Sequence, residues 1–444
     1  MPDETDEKSK EGAKRAFQAV KGMHDVLPAD ERYWDRIESV AQELAREYGF
    51  ARLEPPVLES ADLYRKTTGE GSDIIQKEIY TLKTKGGDLL ALRPEYTPGV
   101  ARAYLENNLS RLGQPQKLFG IGPVFRHDRP QLGRYRQFTQ IDFETIAGPN
   151  DPLYDAEIIS LFTDLLNELK IKNSKLKVNS IGCRVCRPLY KKQLTNYYKN
   201  HEKALCADCK ERLVTNPLRL LDCKEEECVK LKAKAPNFLD KLCATCTEHF
   251  KAVLEYLEEV GIGYELDHQL VRGLDYYDRT VFEMFADGAE EAIGALVGGG
   301  RYDYLMEMIG GHLTPAVGAS SGVERLIAVM KAREIGPASR VQKRIFLVHA
   351  GDLAKRKAFG LLALLRKQGI AVSESLSKES LSAQLKAADK EGTGLALILG
   401  QKEIYEKSVI VRDLRSGTQE AVAQERIVEE IKKRLAVSGN HSHG

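Results

Sequence analysis

Neither flank of this 444-residue chain contains a cysteine: all eight fall between Cys183 and Cys246. Disulfides distributed through the fold are thereby excluded, and clustering within one module of an intracellular protein points to metal or free thiols. Met1 to Arg15 is charged and lacks the apolar core of a signal peptide, so no leader is expected. No apolar run is long enough to span a bilayer, which excludes a membrane partner of that kind and makes cytoplasmic residence the expectation. Excess charge of either sign is missing too. Lys and Arg total 66 against 65 Asp and Glu, so any nucleic acid must be met by a local patch. What is present, 42% hydrophobic and 30% charged residues, describes a soluble globular protein whose length implies two or three domains.

Beyond Pro28, the residues Trp34, Ile37, Ala41, Leu44, Ala45 and Tyr48 recur at helical spacing, and Gly49 is placed to stop the helix. Phe50 to Glu59 reads as extended, but Pro55-Pro56 lacks two backbone donors, which fits an edge strand or a subunit contact. Ile79 to Leu92 reads as a hairpin around Gly86-Gly87-Asp88 that runs into the polar stretch Arg93-Pro94-Glu95-Tyr96-Thr97. A helix over 98–109 and a strand over 117–125 then lead to a loop carrying Arg126, Arg129, Arg134 and Arg136, opposed only by Asp128. That much positive charge is costly without an anion, and polyphosphate or nucleic acid is the natural guest. The returning strand sets Gln140, Asp142 and Glu144 on one face, toward solvent or a ligand pocket. A helix over 155–169 and a strand over 176–181 follow.

The cysteines come as Cys183-x2-Cys186, Cys206-x2-Cys209, Cys223-x4-Cys228 and Cys243-x2-Cys246. Taken in consecutive pairs they make two four-cysteine zinc sites, Cys183, Cys186, Cys206, Cys209 and Cys223, Cys228, Cys243, Cys246; the alternative is a small helical module of reduced thiols. Lys191, Lys192, Arg212, Arg219, Lys230, Lys232 and Lys234 make the module locally basic, a weak signal for RNA backbone. Leu270 to Glu283 combines Arg272, Gly273 and the adjacent Tyr276 and Tyr277 with apolar Val281 and Phe282, a pattern that predicts a buried strand. Two glycine-rich stretches follow. Ile293 to Asp303 reads as a strand ending in consecutive glycines, which let a backbone approach a flat ligand. Gly318 to Gly322 leads into an apolar helix with Arg325 near its start, where a cation opposes the helix dipole unless an anion is held there. Residues 333–343 read as a linker. Strands at 345–349, 372–376, 395–399 and 409–413 then alternate with helices at 354–368, 380–390 and 427–435, a separate small α/β domain.

From about Lys21 to Leu435 these segments together resemble the histidyl-tRNA synthetase family of class II aminoacyl-tRNA synthetases. Glu54-Pro55-Pro56-Val57 resembles the first class II motif, Phe125 through Phe138 the second, and Gly318 through Arg325 the third. Residues 270–277 and Gly299-Gly300-Arg301-Tyr302-Asp303 resemble the two histidine-specific signatures. The resemblance implies an α+β fold: a class II antiparallel-sheet catalytic domain (17–175 and 263–332), a helical cysteine-rich insertion (176–262), a linker (333–343) and an anticodon-binding-type α/β domain (344–436). Tails occupy 1–16 and 437–444. It also implies a homodimer that joins histidine to tRNA(His) through a histidyl-adenylate, consuming ATP bound with Mg2+ and releasing AMP and pyrophosphate.

For the residues, the resemblance implies catalytic Arg126, Arg272 and Arg325, the first two on opposite faces of the α-phosphate. ATP would be bound by Arg126, Asp128, Arg134 and Arg325. Glu95, Thr97 and Gln140 would take the α-amino group, Glu144 and Tyr277 the imidazole, and Tyr302 would line the pocket. Gln131 and Arg136 would meet the acceptor end of the tRNA, and zinc in the insertion would be structural. Two departures stand out. Asp128 replaces the usual glutamate and is one methylene shorter, and His24 stands where the family usually has arginine. The nearest alternative is a non-aminoacylating paralogue such as the regulatory subunit of ATP phosphoribosyltransferase, which would lack the carboxy-terminal domain. One structural demand follows: Arg272 and Tyr277 are five positions apart and would face opposite sides of an ideal strand, so for both to reach one pocket the backbone must bend, with Gly273 as the hinge.

Overall fold

The computed structural model describes residues 17–69, 72–336, 345–378 and 380–437. The expected tail at 1–16, all but the first residue of the expected tail at 437–444, and residues 337–343 of the expected linker lie outside the described residues. Backbone contacts divide the chain into two units, Met1–Pro337 and Ala338–Gly444.

The first unit opens with helix α1 (Glu31–Glu47), whose apolar stripe of Ile37, Val40, Ala41, Leu44 and Ala45 is buried. Gly49, at φ +75°, turns the chain so that the Phe50 N–H reaches the Ala45 carbonyl at 2.6 Å, closing the helix end. The strands are β1 (Ala51–Arg52), β2 (Leu58–Ser60), β3 (Thr81–Lys83), β4 (Leu89–Leu92), β5 (Gln116–Phe125), β6 (Gln137–Ile146), β7 (Ser174–Ser180), β8 (Glu265–Leu266), β9 (Asp278–Ala286), β10 (Val297–Arg301) and β11 (Ala316–Gly322). Eight form one sheet in the order β1-β5-β6-β11-β10-β9-β7-β8. It is antiparallel except at its ends, where β1 runs parallel to β5 and β8 parallel to β7. A second, three-stranded sheet has the order β2-β4-β3.

The large sheet buries one face under α1 and the helix Leu153–Glu168, here α2. On that face Phe143 meets Phe50, Phe119 and Phe162 at ring-centroid distances of 5.1, 4.8 and 5.6 Å. Each such aromatic pair adds about 0.5–1.5 kcal/mol to the burial term, so β6 is held firmly from below. Its other face carries the site.

Between β7 and β8 the chain makes a helical excursion with α3 (Cys186–Lys199), α4 (Ala207–Thr215), α5 (Glu226–Lys232) and α6 (Ala244–Glu259). Since β7 is a strand of the large sheet, the excursion leaves the sheet after Ser180, not at residue 176. It is not a separate globule: Phe250, Val253 and Leu257 of α6 join the core under the sheet, and Tyr190 and Leu194 of α3 share a second core with Val281 and Tyr302.

Two sequence expectations change here. The strand expected from Leu270 begins only at Asp278, and residues 271–277 form a loop. The glycines expected to follow a strand lie within one, since β10 is Val-Gly-Gly-Gly-Arg, and its register against β9 shifts between Gly300 and Arg301.

The second unit has a five-stranded sheet with the order β13-β12-β14-β15-β16, where β12 is Ile345–His349, β13 Val372–Glu374, β14 Leu395–Leu399, β15 Ser408–Asp413 and β16 Gln419–Ala423. Helices Asp352–Lys367, Leu381–Lys390 and Ile427–Val437 accompany it. The polar edge strand β16 was not expected from the sequence; most of its residues are exposed, so it has no buried face to betray it. No helix among the described residues is long and apolar enough to cross a membrane.

Candidate active site

Gln140, Asp142 and Glu144 stand side by side on β6 and are all buried. Glu144, 1% exposed, accepts hydrogen bonds from Thr97 Oγ1 at 2.5 Å and from the Tyr302 hydroxyl. Burial pushes its carboxyl up to about 7, while those donors pull the other way. Asp142 beside it is pushed well above the usual carboxylate range by burial and then by the charge of Glu144. Gln140 donates to Ser320 Oγ at 3.3 Å, and its buried Oε1 has no partner among the described residues. A ligand N–H is the natural complement of such an acceptor. Thr97, grouped by resemblance with Glu95 and Gln140, points its hydroxyl at Glu144 instead.

Glu95 lies at the head of helix Thr97–Glu106 and accepts from Thr68 Oγ1 at 2.9 Å and from the Tyr276 hydroxyl at 2.6 Å. Burial raises its pKa against those donors and against the nearby Arg126. Thr68 carries no signal in the sequence, which marks Tyr276 only as the neighbour of Tyr277, with no role of its own. Tyr276 sits beside Tyr277 with ring centroids 4.6 Å apart, and Tyr302 completes the aromatic wall at 5.8 and 6.4 Å. Adjacent tyrosines signalled the wall but not the division of labour.

Around this floor the structure brings the arginines together. Arg325 is half-buried and donates Nε to the Gly133 carbonyl at 2.8 Å and Nη1 to the Ala295 carbonyl at 2.6 Å. Burial and the neighbouring Arg126 and Arg134 push its pKa down to about 10. A guanidinium held against like charges is an anion site in waiting. Arg126 donates Nε to the Pro94 carbonyl at 2.9 Å and lies over the Phe138 ring at 5.5 Å. Arg272 lies 5.6 Å from the Tyr277 ring centroid and pairs with Glu283. Burial opposes its charge, yet Glu283 holds its pKa above the usual arginine range.

The expected bend therefore exists, but Gly273 is not its cause. Its φ is not among the positive values, and a Cβ there would meet only Arg219 at 3.7 Å. The turn belongs to the loop 271–277 as a whole, which has no positive φ; Arg279, at +49°, comes after both residues, inside the register shift of β9.

The Arg126 loop is folded upon itself. Asp128 Oδ1 accepts the Arg129 N–H at 2.6 Å and Oδ2 pairs with Arg134 at 3.2 Å. Gln131 and Arg134 exchange backbone bonds of 3.1 and 2.9 Å around Gly133, leaving the Gln131 side chain exposed. Arg136 is braced by the Asp128 and Lys21 carbonyls, each at 3.3 Å, and His24 packs edge-on against Tyr135 at 5.1 Å. Arg301, in the second signature, faces away from the pocket and is buried against Asp155 and Asp303, with His249 Nε2 3.5 Å from the same Asp155.

The cysteines also gather, in a different order from the one expected. Cys183, Cys186, Cys243 and Cys246 form one group and Cys206, Cys209, Cys223 and Cys228 the other, with the sulfurs of each within 4.8 Å of one another. The pairing is nested because the end of β7 and the start of α6 meet at the base of the excursion, which brings the first and last pairs together and leaves the middle pairs to each other. Sulfur separations of 3.8 Å (Cys183–Cys186), 4.0 Å (Cys183–Cys243) and 3.9 Å (Cys206–Cys223) are far from a disulfide bond. They match the edge of about 3.8 Å expected of four thiolates about 2.3 Å from a tetrahedral zinc.

Comparison with known proteins bears on the whole. The family model described as histidyl-tRNA synthetase matches residues 22–326, and that described as anticodon binding domain matches 343–434. The histidine–tRNA ligase of Pelotomaculum thermopropionicum is 42% identical over 417 residues, 94% of this chain and 97% of the relative. Among solved structures, apo S. aureus histidyl-tRNA synthetase superposes with a TM-score of 0.79 at 31% identity, covering 94% of this chain and all of that one. A Bacillus halodurans ATP phosphoribosyltransferase regulatory subunit/histidyl-tRNA synthetase shares the fold at 21% identity, with a TM-score of 0.62 over 86% of this chain and 98% of its own. Fold alone thus does not separate the two classes, but sequence identity over nearly the whole length does. The chain belongs to the histidyl-tRNA synthetase family.

Proposed function

We propose that residues 17–180 and 263–332 form the catalytic domain that charges tRNA(His) with histidine, with 181–262 as the insertion and 344–436 as the anticodon-binding domain. One observation carries the chemistry: a buried, hydrogen-bonded carboxylate floor lies inside a set of mutually repelling arginines. Histidine is an ammonium, a carboxylate and an imidazole, and MgATP is a polyanion. The site offers acceptors for the first ligand's two N–H ends and cations for everything else.

Glu95 and the free Gln140 Oε1 receive the α-amino group, with Thr97 supporting from below. Glu144, steadied by Thr97 and Tyr302, accepts one imidazole N–H, and Tyr277 faces the ring. Attack of the histidine carboxylate on the α-phosphorus forms a C–O–P bond as the bond to pyrophosphate breaks, and charge accumulates on the phosphoryl oxygens. Arg126 and Arg272 stabilise that charge from two sides, while Arg325 and Arg134 hold the β- and γ-phosphates. Asp128, engaged by Arg134 and its own loop, reaches adenine through water. The terminal ribose hydroxyl of tRNA then attacks the adenylate carbonyl and AMP leaves, with Gln131 and Arg136 meeting the acceptor end. Analogues without the imidazole donor leave buried Glu144 with only its Thr97 and Tyr302 hydrogen bonds and no ligand partner, so selectivity needs no editing step.

Each nested cysteine group would hold one zinc, which would supply a structural cross-link and no chemistry at the reacting centre. The protein acts as a cytoplasmic homodimer through the Glu54–Val57 region. Histidine-dependent exchange of pyrophosphate into ATP tests the proposal; purified protein that is folded and shows no exchange overturns it.

A further inference from the structure

Arg212 and Arg219, two of the residues that make the cysteine module locally basic, turn toward the rest of the fold. Arg219 is 7% exposed. It donates Nη1 to the Gly273 carbonyl at 2.7 Å and Nη2 to Asp73 Oδ2 at 2.6 Å, with Asp222 3.6 Å from its Nε. Arg212 donates to the same Asp73 oxygen at 3.0 Å. Asn216 donates to Asp275 Oδ1 at 2.8 Å, and Arg187 donates to the Tyr277 carbonyl. The excursion thus grips the loop at Gly273, Asp275 and Tyr277, next to Arg272 and on both sides of Tyr276, while lending no side chain to the pocket floor.

The grip has a second end. Asp73 immediately precedes a π-helix, Ile74–Glu78, and the Glu78 carbonyl accepts the His127 N–H at 2.7 Å. His127 follows Arg126. One carboxylate therefore links the loop of Arg272 to the loop of Arg126, the two arginines assigned to opposite faces of the α-phosphate. Both clamp arginines lie between Cys209 and Cys223, which belong to the inner cysteine group, so that group is the mount from which they reach. Ion pairs, exposed or buried, contribute little net stability once screening and desolvation are counted, so a purely stabilising role explains poorly why two arginines converge on the half-buried Asp73. Residues 271–277 lie outside the sheet, and a loop without strand partners needs an outside support to hold a catalytic group within tolerance.

We propose that Arg219, with Arg212 on the shared Asp73, is a positioning residue for adenylate formation that sets the separation of Arg272 and Arg126 from the cysteine-bearing excursion. The proposal rests on the adenylate-forming reading. Its test compares Arg219→Ala, Arg219→Lys, Asp73→Asn and the Arg219→Ala/Asp73→Asn double variant in histidine-dependent exchange, with hydrogen exchange over 271–277 and zinc content measured alongside.

In Arg219→Ala, kcat is expected to fall about 10- to 100-fold, with the histidine KM within about threefold of wild type. Residues 271–277 should lose protection while zinc content holds. Arg219→Lys should recover only part of the rate, because an ammonium cannot make two directed bonds. The double variant should be no slower than Arg219→Ala, since both changes break one linkage. Exchange in Arg219→Ala within about twofold of wild type, a loss confined to histidine KM, or losses that multiply would overturn the proposal. Should Arg219→Ala lose its cooperative unfolding transition, Asp73→Asn decides alone: a normal kcat there overturns the clamp. If the wild type itself shows no exchange, the reaction reading has failed; unchanged protection of 271–277 in Arg219→Ala would then refute the clamp separately.

Discussion

At the scale of single residues, two glycines decide where the charged groups of the site can lie. A Cβ on Gly318 would collide with Glu144 Oε2, and one on Gly298 with the guanidinium of Arg272. Both glycines sit in strands, so their role is space for a neighbour rather than a turn. Replacing Arg272 by Ala should cost about 10²–10³ in kcat for pyrophosphate exchange while histidine still binds in a calorimetric titration; near-normal turnover would remove it from the mechanism. Glu144 gives a pH dependence. Its folded pKa, about 7, lies above the ordinary carboxylate value, so the folded protein keeps a proton that the unfolded chain would release. That contribution to stability is full at low pH and is lost as pH rises through 7. Binding runs the other way, because the imidazole N–H needs the ionised form. Histidine affinity, corrected for the free ligand's own titration, should be about tenfold weaker at pH 6 than at pH 8. Glu144→Gln should bind weakly with no such step, and a flat wild-type profile would exclude Glu144 as the acceptor. Sequence pattern found Glu144 through the alternation of β6. It could not find Tyr276, because nothing in two adjacent tyrosines says which one turns toward Glu95.

Among the elements, legibility followed local periodicity. Helix α1 and the β5–β6 pair declare themselves through spacing that burial alone dictates. The loop over 271–277 does not, because its conformation is imposed by Arg187, Asn216 and Arg219 from a distant part of the chain. Spacing was equally silent about the cysteine groups. Consecutive and nested pairings fit the same intervals, and only the meeting of β7 and α6 selects the nested one. The double variant Cys206→Ser/Cys223→Ser distinguishes them by elemental analysis. Nested groups lose a single ion and keep the Cys183, Cys186, Cys243, Cys246 centre; consecutive groups would each lose a ligand, and both ions would go. A wild-type protein without metal would retire both arrangements.

For the whole molecule, the separate cores of the two units carry a thermodynamic signature. The second unit packs its own cluster around Leu347, Leu362, Leu397 and Ile431. Scanning calorimetry should resolve two transitions. Histidine with a non-hydrolysable ATP analogue, at about 100 times their Kd, should add roughly 2.7 kcal/mol to one of them and leave the other in place. A single transition that moves as one would show that the units unfold together. The nested cysteines add a consequence in time. During synthesis Cys228 emerges before Cys243, so the inner quartet is complete while the outer one still lacks half its members. The ribosome therefore delivers the clamp's mount first and the seal at the excursion's base second. Order of emergence does not itself choose the partners, because Cys183, Cys186, Cys206 and Cys209 are all made before Cys223; the nested arrangement is settled only when the end of β7 meets the start of α6.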